Sequence, residues 1–225
     1  MKQKPNIIFI LSDQHNAKFT GHCGHPTVKT TNLDRLASEG VRFTNAVCQN
    51  PICTPSRMCF LSGQYAHNHG FYGLEGPNPG GLPTALGHFR KSGYRTGAIG
   101  KIHCPAYWIE DDADVFLDTG NSIEGAGERA IYCRERNLKF HDYKSVSHDG
   151  CPELCTYRDS AEGWVVSRSI EFMNEAKEKN MPFFLHASFP KPHQPYTPAQ
   201  EFWDIYDPKQ IALPPNFSYN MREAK

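Results

Sequence analysis

Cys-Thr-Pro-Ser-Arg-Met-Cys-Phe-Leu-Ser-Gly, residues 53–63, is the stretch around which the rest of the chain is organised. Proline is tolerated in a first helical turn, so Pro55 and the apolar residues after it predict a helix that begins near Cys53. The N–H groups and macrodipole of a helix N-terminus favour negative charge, and Arg57 is predicted to reach the same spot. The pattern favours a nucleophile at Cys53, against the alternative of a buried structural cysteine.

The composition excludes several broad classes of protein. The 225 residues include 24 Lys and Arg against 24 Asp and Glu, so no net charge favours nucleic acid or an anionic membrane as a partner. The aromatic share of 12% is typical of a folded globular chain. Eight cysteines scattered over this length do not form the pattern of a compact disulfide framework. We expect no zinc at Cys151-x-x-x-Cys155 or within residues 21–25.

The first apolar run predicts a buried strand. Residues 6–12 read Asn-Ile-Ile-Phe-Ile-Leu-Ser, which is typical of a strand covered on both faces in an α/β sheet. The run is too short for a signal-peptide core, so we expect a cytoplasmic protein. Ligands of such sheets bind beyond the carboxyl ends of the strands, which places Asp13 in a candidate site. The alternative for Asp13 is a capping or loop carboxylate.

Further helices and strands are predicted before and after the central stretch. Residues 31–40 predict a helix with Leu33, Leu36 and Ala37 on one face, ended by Gly40. Residues 41–47 alternate between apolar and polar and predict a strand. Residues 82–92 predict a second helix that ends before Gly93, and the residues that follow predict another strand.

That strand ends in Gly-Lys-x-His at residues 100–103. On extended backbone, Lys101 and His103 would project from the same face. Lysine offers a point charge to a tetrahedral oxyanion, and histidine can donate a hydrogen bond or move a proton. A solvated pair is the alternative, as it is for His67 and His69, which could line a pocket mouth.

The second half of the chain predicts one loop-rich region, one helix and one strand. Residues 105–157 are rich in Gly, Asp, Glu and Ser and predict an insertion or loop-rich excursion. Asp159-x-x-Glu162 has the form of a capping box before a helix. The core-facing stripe predicted for this helix consists of Val165, Val166, Ile170, Met173 and Ala176.

Residues 182–189 predict a buried strand, followed by Pro-Lys-Pro-His-Gln-Pro at 190–195. Within this region we expect His186 to be structural and Lys191 to lie at the surface, with a reach into the candidate site as the alternative for Lys191.

Two motifs resemble the signatures of the type I sulfatases, in the alkaline phosphatase superfamily. One is Cys-x-Pro-Ser-Arg at 53–57, and the other is Gly-Tyr-x-Thr-x-x-x-Gly-Lys-x-His at 93–103. The resemblance implies an α/β fold with a mixed, mostly parallel sheet flanked by helices, and hydrolysis of sulfate esters. It also implies that a sulfatase-maturing enzyme, which reads Pro55 and Arg57, oxidises Cys53 to formylglycine, whose hydrate is the nucleophile.

The same resemblance implies the roles of individual residues. A divalent metal ion, Ca²⁺ first with Mg²⁺ or Mn²⁺ as alternatives, is expected on Asp13, Gln14 and the matured Cys53. Gln14 stands where the family has a second aspartate, so the site has one negative charge fewer, although an amide carbonyl oxygen still suits a hard cation. The expected catalytic residues are Cys53, Arg57, Lys101, His103 and His193, the last from a Pro-His-x-Pro turn that contacts the sulfate or the leaving group.

The resemblance covers nearly the whole chain but only the N-terminal half of a family member. Residues 1–225 are therefore interpreted as the N-terminal part of a sulfatase catalytic domain, without the later acidic pair that completes the metal site. Two alternatives stay open. One is a phosphonate or phosphate ester hydrolase on the same fold, because the pair Asp13-Gln14 also resembles phosphonate monoester hydrolase-like relatives. The other is a non-catalytic fragment or pseudoenzyme. The expected substrate is a small-molecule or carbohydrate sulfate ester, and the oligomeric state stays open.

Overall fold

A computed structural model describes residues 4–120, 127–139, 150–213 and 217 of the chain. Its sheet consists of β1 (Ile7–Ser12), β2 (Arg95–Gly100), β3 (Val115–Asp118) and β4 (Phe183–Phe189). The four strands are parallel and lie in the order β1-β4-β2-β3. The register aligns Ser12 with Phe189 and Gly100 with Ser188. Because the strands are parallel, their carboxyl ends meet at one edge of the sheet.

Helices flank the sheet on both faces. In chain order they are α1 (Thr31–Glu39), α2 (Cys53–Ser62), α3 (Ala66–His69), α4 (Ala85–Lys91), α5 (Ala106–Ile109), α6 (Glu128–Glu135), α7 (Ala161–Glu178) and α8 (Gln200–Trp203). Short 3₁₀ turns lie at Ala17–Phe19, Gly21–Cys23, Glu110–Asp112, Tyr157–Asp159 and Pro208–Gln210. Among the described residues, no helix combines the length and apolarity needed to cross a bilayer.

Two apolar clusters hold these layers together. The first lies between the sheet and helices α2, α4 and α5, and its buried members are Met58, Leu61, Phe71, Leu86, Tyr94, Ala98, Ile102, Trp108, Ile109 and Phe184. The second lies under α7 and comprises Ile99, Trp164, Val165, Phe172, Ala176, Phe183, Leu185 and Ala187. Neighbouring residues of β4 alternate between the clusters, as Phe184 and Leu185 do, because side chains of a strand point to opposite faces. The predicted α/β architecture is confirmed.

Several predicted elements differ in detail from those observed. β1 forms where predicted, but Ile8 and Ile10 are 47% and 60% exposed, so this strand is not covered on both faces. The physical reason is its place at the sheet edge, since α7 packs on β4 and β2 instead. Residues 41–47 form no strand, and Val41 is 81% exposed. Among the residues that the structure describes, no strand lies beside them with which this alternating pattern could pair.

The region 105–157 is more regular than predicted where the structure describes it. Val115–Asp118 is strand β3 and pairs in parallel with β2, and α6 follows it. The sequence reasoning missed β3 because four residues are too few to show a periodic pattern. Residues 121–126 and 140–149 of the predicted excursion lie outside the described residues.

The start of α7 also differs from the prediction. Its N-cap is Ser160, whose side chain accepts a hydrogen bond from the Gly163 N–H, and not Asp159. Gly163 has no room for a side chain, since a Cβ there would lie 2.0 Å from the Tyr157 carbonyl oxygen. Ile170 is 48% exposed, so it does not belong to the buried stripe, which contains Phe172.

Candidate active site

The carboxyl edge of the sheet brings three chain segments together. The Asp13 N–H donates to the Phe189 carbonyl oxygen at 3.0 Å, and the Lys101 N–H donates to the Ser188 carbonyl oxygen at 2.9 Å. The ladder of the sheet therefore continues one residue past β1 and β2. As a result, the side chains of Asp13 and Lys101 enter the same space, which Ser188 borders from the strand between them.

Cys53 is the first residue of α2, as predicted. Ile52 before it is extended and forms the N-cap. Cys53 Sγ lies 3.9 Å from Asp13 Oδ1, so the N-terminus of α2 faces the edge of the sheet. Thr54, the next residue, is buried and its hydroxyl donates to the His103 carbonyl oxygen at 3.0 Å. The helix start is thereby fixed to the loop that follows β2.

Arg57 connects α2 to the sheet edge. Its side chain is only 2% exposed, and its Nη2 donates to Asp13 Oδ2 at 2.9 Å. Its Nη1 donates to Ser188 Oγ at 2.9 Å and to the Lys101 carbonyl oxygen. Every one of these contacts joins residues more than 40 positions apart, so the guanidinium holds α2, β1 and β4 in one arrangement. A buried guanidinium with several acceptors is a rigid, permanently charged group.

Asp13 is held by two cations at once. Lys101 Nζ lies 2.8 Å from the same Oδ2 atom that accepts from Arg57, and the Lys101 side chain is 3% exposed. Burial by itself raises the pKa of Asp13, but the hydrogen bond and charge of Lys101, together with Arg57, hold this pKa below its ordinary value. One carboxylate therefore stands against two fixed positive charges, which leaves the local charge positive.

His103 reaches the site by a backbone conformation that the sequence did not predict. Its φ is 49°, so the residues after β2 are not extended, and Lys101 and His103 do not share a strand face. Burial, followed by the nearby charges of Lys101 and Arg57, lowers the pKa of His103 to about 4. Its Nδ1 is buried without a hydrogen-bond partner in the part of the chain that the structure describes. The ring is therefore neutral near pH 7.

His193 approaches from the turn after β4. One ligand atom each of Asp13, Cys53 and His193 lies within 4.8 Å of the other two. The His193 Nδ1 lies 2.6 Å from the Gln194 carbonyl oxygen. Because a carbonyl can only accept, Nδ1 carries the proton, and Nε2 of the neutral ring is left to accept or, once protonated, to donate.

Gln14 lies beside this group, at the rim of a cleft of about 430 Å³. It is exposed and has a φ of 56°. The cleft is lined by Leu11, Ser12, Asp13, Gln14, His15, Cys48, Pro51, Cys53, Ser56, Arg57 and Phe60. A larger cavity, of about 880 Å³, lies elsewhere, beside residues 4–6 and the residues just before β4. It contains none of the predicted site residues.

The donor atoms fit part of the coordination shell of a hard divalent cation. Asp13 Oδ2 is occupied by Arg57 and Lys101, whereas Oδ1 faces Cys53. Carboxylate and amide oxygens suit Ca²⁺ or Mg²⁺. Within the described ranges, the set of Asp13, Cys53 and His193 is the one group of His, Cys, Asp and Glu with this spacing. It brings a single carboxylate.

Sequence reasoning missed two residues that shape the site and misjudged a third. Ser188 accepts a hydrogen bond from Arg57, and Thr54 donates one to the His103 carbonyl oxygen. The sequence signal available for them was their position, Ser188 near the end of a strand and Thr54 at the start of a helix. Lys191 is half-buried and not free at the surface, and its Nζ donates to the Pro195 carbonyl oxygen and to Thr197. His186 is structural as predicted, because it is buried in β4, where burial lowers its pKa to about 3.

The cleft lining does not include His22, His67 or His69. His69 is buried and contacts Cys59 Sγ through its Nε2, while its Nδ1 accepts from the Phe71 N–H. His67 is exposed and stacks on Tyr65. His22 contacts Asp34 of α1. These contacts are structural.

Comparison with known proteins identifies similar chains. The family model described as Sulfatase matches residues 5–214. The ulvan-active sulfatase of Formosa agariphila is 30% identical over 227 residues, which covers 96% of this chain and 41% of that protein. The chain spans 41% to 48% of the length of the first curated relatives that it matches.

Solved structures show the same similarity. BT4656, solved in complex with its substrate D-glucosamine-2-N,6-O-disulfate, is 27% identical with a TM-score of 0.71, over 95% of this chain and 40% of that one. The phosphonate monoester hydrolase of Agrobacterium radiobacter has a TM-score of 0.74 at 20% identity, over 93% of this chain and 45% of that one. At that identity the second likeness shows the fold alone.

Proposed function

The chain belongs to the sulfatase family, and from this premise we propose that it carries the nucleophile and anion-binding side of a sulfuric ester hydrolase. The observation that carries the proposal is the position of Cys53 Sγ, 3.9 Å from the Asp13 carboxylate that Arg57 and Lys101 both bind. A nucleophile position, one anion and two buried cations thus occupy one corner of the molecule. Such a corner suits a substrate that is itself a tetrahedral anion.

We propose that Cys53 is matured to formylglycine and that Asp13, Gln14 and residue 53 hold a divalent cation, with Ca²⁺ first and Mg²⁺ or Mn²⁺ as alternatives. The formylglycine hydrate would supply an oxygen nucleophile and a second hydroxyl that allows sulfate to be released. The divalent cation, when bound, would supply a Lewis acid. Asp13 supports this assignment because its Oδ1 faces residue 53, while the charge on its Oδ2 is neutralised by Arg57 and Lys101. The single carboxylate of the described site implies that further ligands complete the shell in the whole enzyme.

The remaining residues act on the sulfuryl group and the leaving group. Arg57 and Lys101 balance the charge that develops on the sulfuryl oxygens, and both are already fixed, so no reorganisation is required as the reaction proceeds. His103 is neutral at pH 7 and donates or accepts a single hydrogen bond there. His193 presents Nε2, which can protonate the departing alcohol oxygen once the ring is charged.

The expected substrates are sulfated carbohydrates or small sulfate esters. Support comes from BT4656, whose substrate is a disulfated glucosamine, and from the family itself. A phosphonate or phosphate ester is the second candidate, because Gln14 removes one negative charge from the place where the family has two aspartates. Hydrolysis of an aryl sulfate and of an aryl phosphonate by the complete, matured protein separates the two. Faster turnover of the phosphonate would refute the sulfatase assignment.

Maturation has its own test. Peptide mass spectrometry of protein made beside a maturing enzyme is expected to show that residue 53 has exchanged sulfur and two hydrogens for one oxygen. Cys53→Ala is expected to abolish turnover, while Cys23→Ala, at an exposed cysteine outside the cleft lining, retains it. An unmodified Cys53 in a protein without turnover under these conditions would favour the non-catalytic alternative.

A further inference from the structure

The turn that carries His193 is bridged by one lysine side chain. Lys191 Nζ donates to the Pro195 carbonyl oxygen and to Thr197 Oγ1, in each case at 2.6 Å. The bridge therefore spans the turn from one side of His193 to the other. The His193 N–H closes the same turn by donating to the Pro190 carbonyl oxygen at 3.2 Å.

The far side of this bridge is fixed to another part of the chain. Thr197 Oγ1 donates to Glu153 Oε1 at 2.9 Å. The Glu153 N–H donates to the Pro198 carbonyl oxygen at 2.8 Å, and the Cys151 N–H donates to the Tyr196 carbonyl oxygen at 3.1 Å. Residues 151–153 thus run alongside residues 196–198. The end of the predicted loop-rich region is what anchors the turn.

The surroundings of the Lys191 side chain explain why a lysine fits there. The carboxylates of Glu153 and Glu162 face it, and they oppose the effect of burial, which lowers the pKa of Lys191. Glu162 Oε1 is buried and has no hydrogen-bond partner in the described ranges. The nearby positive charge of Lys191 opposes the rise in the pKa of Glu162 that burial causes. Loss of the ammonium group would leave the carboxylates of Glu153 and Glu162 with less compensation, and the Pro195 carbonyl oxygen and Thr197 Oγ1 would each lose one hydrogen-bond partner.

We propose that Lys191 is a positioning residue for His193, which rests on the role given to His193 in the proposed function. The link has two steps. Lys191 fixes the Pro195 carbonyl, and the neighbouring Gln194 carbonyl accepts the His193 Nδ1 proton and so selects the tautomer with Nε2 free. Lys191 itself needs no contact with the substrate.

The first test removes the ammonium group but keeps the side-chain length. Lys191→Met is expected to lower kcat for an aryl sulfate by up to about a hundredfold, because small displacements of a reacting group cost that much. KM should change little. Lys191→Arg, which keeps the charge and two donors, is expected to recover most of kcat. Lys179→Met, at an exposed lysine beyond the last turn of α7, is the matched control and should behave as the wild type.

The second test asks whether Lys191 acts through His193. In a His193→Ala background, Lys191→Met should have no further effect on kcat, since the group that it positions is gone. Full additivity of the two substitutions would overturn the proposal, and so would a Lys191→Met kcat within about twofold of the wild type. Where Lys191→Met does not fold, Thr197→Val breaks the same bridge without a change of charge and is tested in the same cycle.

A readout without turnover keeps this inference separate from the proposed function. ¹⁵N NMR of the His193 ring is expected to show the Nδ1-protonated tautomer in the wild type and a mixture of tautomers in Lys191→Met. An unchanged tautomer would refute the positioning role even in an active enzyme. A wild type that hydrolyses no sulfate ester, but whose tautomer shifts in the variant, would refute the proposed function and leave the positioning intact.

Discussion

Replacement of Asp13 by Asn tests the charge arrangement on which the site is built. The carboxylate is 8% exposed and compensates the Arg57 guanidinium and the Lys101 ammonium at 2.9 and 2.8 Å. Removal of one partner from a buried ion pair costs about 3–5 kcal/mol. Because Asp13 also borders the cleft, where water reaches it, we take the lower end, about 3 kcal/mol. For a chain of this size, that loss lowers Tm by about 6–12 °C.

The measurement is the thermal and urea unfolding of wild type and Asp13→Asn, both at pH 7 in excess chelator. The chelator matters because Asp13 is also a proposed metal ligand, and bound metal would add to the stability of the wild type alone. Asp111→Asn is the matched control, because that carboxylate is exposed in the turn before β3. Its effect is expected to stay within about 0.5 kcal/mol.

The pH dependence of the free energy of unfolding gives a second test on the same two proteins, wild type and Asp13→Asn. The folded pKa of Asp13 lies below the unfolded value of 3.8, so the stabilisation by its carboxylate is fully present above pH 3.8 and is lost as the pH falls through the folded value. The stability gap between wild type and Asp13→Asn should therefore stay constant from pH 7 to pH 4. A gap under about 1 kcal/mol at pH 7 would refute the buried ion-pair reasoning. Disappearance of the gap between pH 7 and pH 5 would refute it too.

Three further predictions concern the groups around Asp13. Ser188→Ala removes an acceptor of Arg57 Nη1 and is expected to cost about 1–3 kcal/mol in urea unfolding; no measurable loss would contradict the bond. Gly100→Ala places a Cβ 1.9 Å from the Ser188 carbonyl oxygen at a φ of 112°, so we expect no folded protein on gel filtration. The control is Gly63→Ala, which has open space around the Cβ at a φ of 69° and is expected to cost about 1–2 kcal/mol. His103, with its folded pKa of about 4 against 6.5, destabilises the fold as the pH falls from 6.5 towards 4, so His103→Gln should flatten the pH dependence of stability in that window. An NMR pKa of His103 near 6.5 would contradict this last prediction.

The elements that could be predicted are those whose signal lies within a few consecutive residues. The apolar runs of β1 and β4, the proline in the first turn of α2 and the glycine after α1 all act locally. The elements that were wrong or missed depend on a partner elsewhere in the chain. Residues 41–47 have a strand pattern, but no strand in the described part of the chain lies beside them. β3 is too short to show a pattern but has β2 beside it.

The same division holds within the site. The residue types and their order in the chain indicated Cys53, Arg57 and Lys101 as candidate site residues. They also carried the resemblance to a family. The prediction that Lys101 and His103 project from one face of a strand was wrong, because the backbone at His103 is left-handed and not extended. Lys191 was expected at the surface, but it is half-buried in a turn against which residues 151–153 pack.

By itself, the sequence determined which chemical groups are present and in what order: a cysteine at a helix start, an aspartate after a strand, and basic groups at set distances along the chain. Only the tertiary structure decided that Arg57 and Lys101 share a single oxygen of Asp13. It also decided that Ser188 accepts from Arg57 and that Thr54 holds the loop at His103. The physical reason is that residue type and spacing act through local backbone geometry. The charge balance of a buried site, by contrast, is set by contacts between residues 40 or more positions apart, and these form only when the parallel strands align their carboxyl ends.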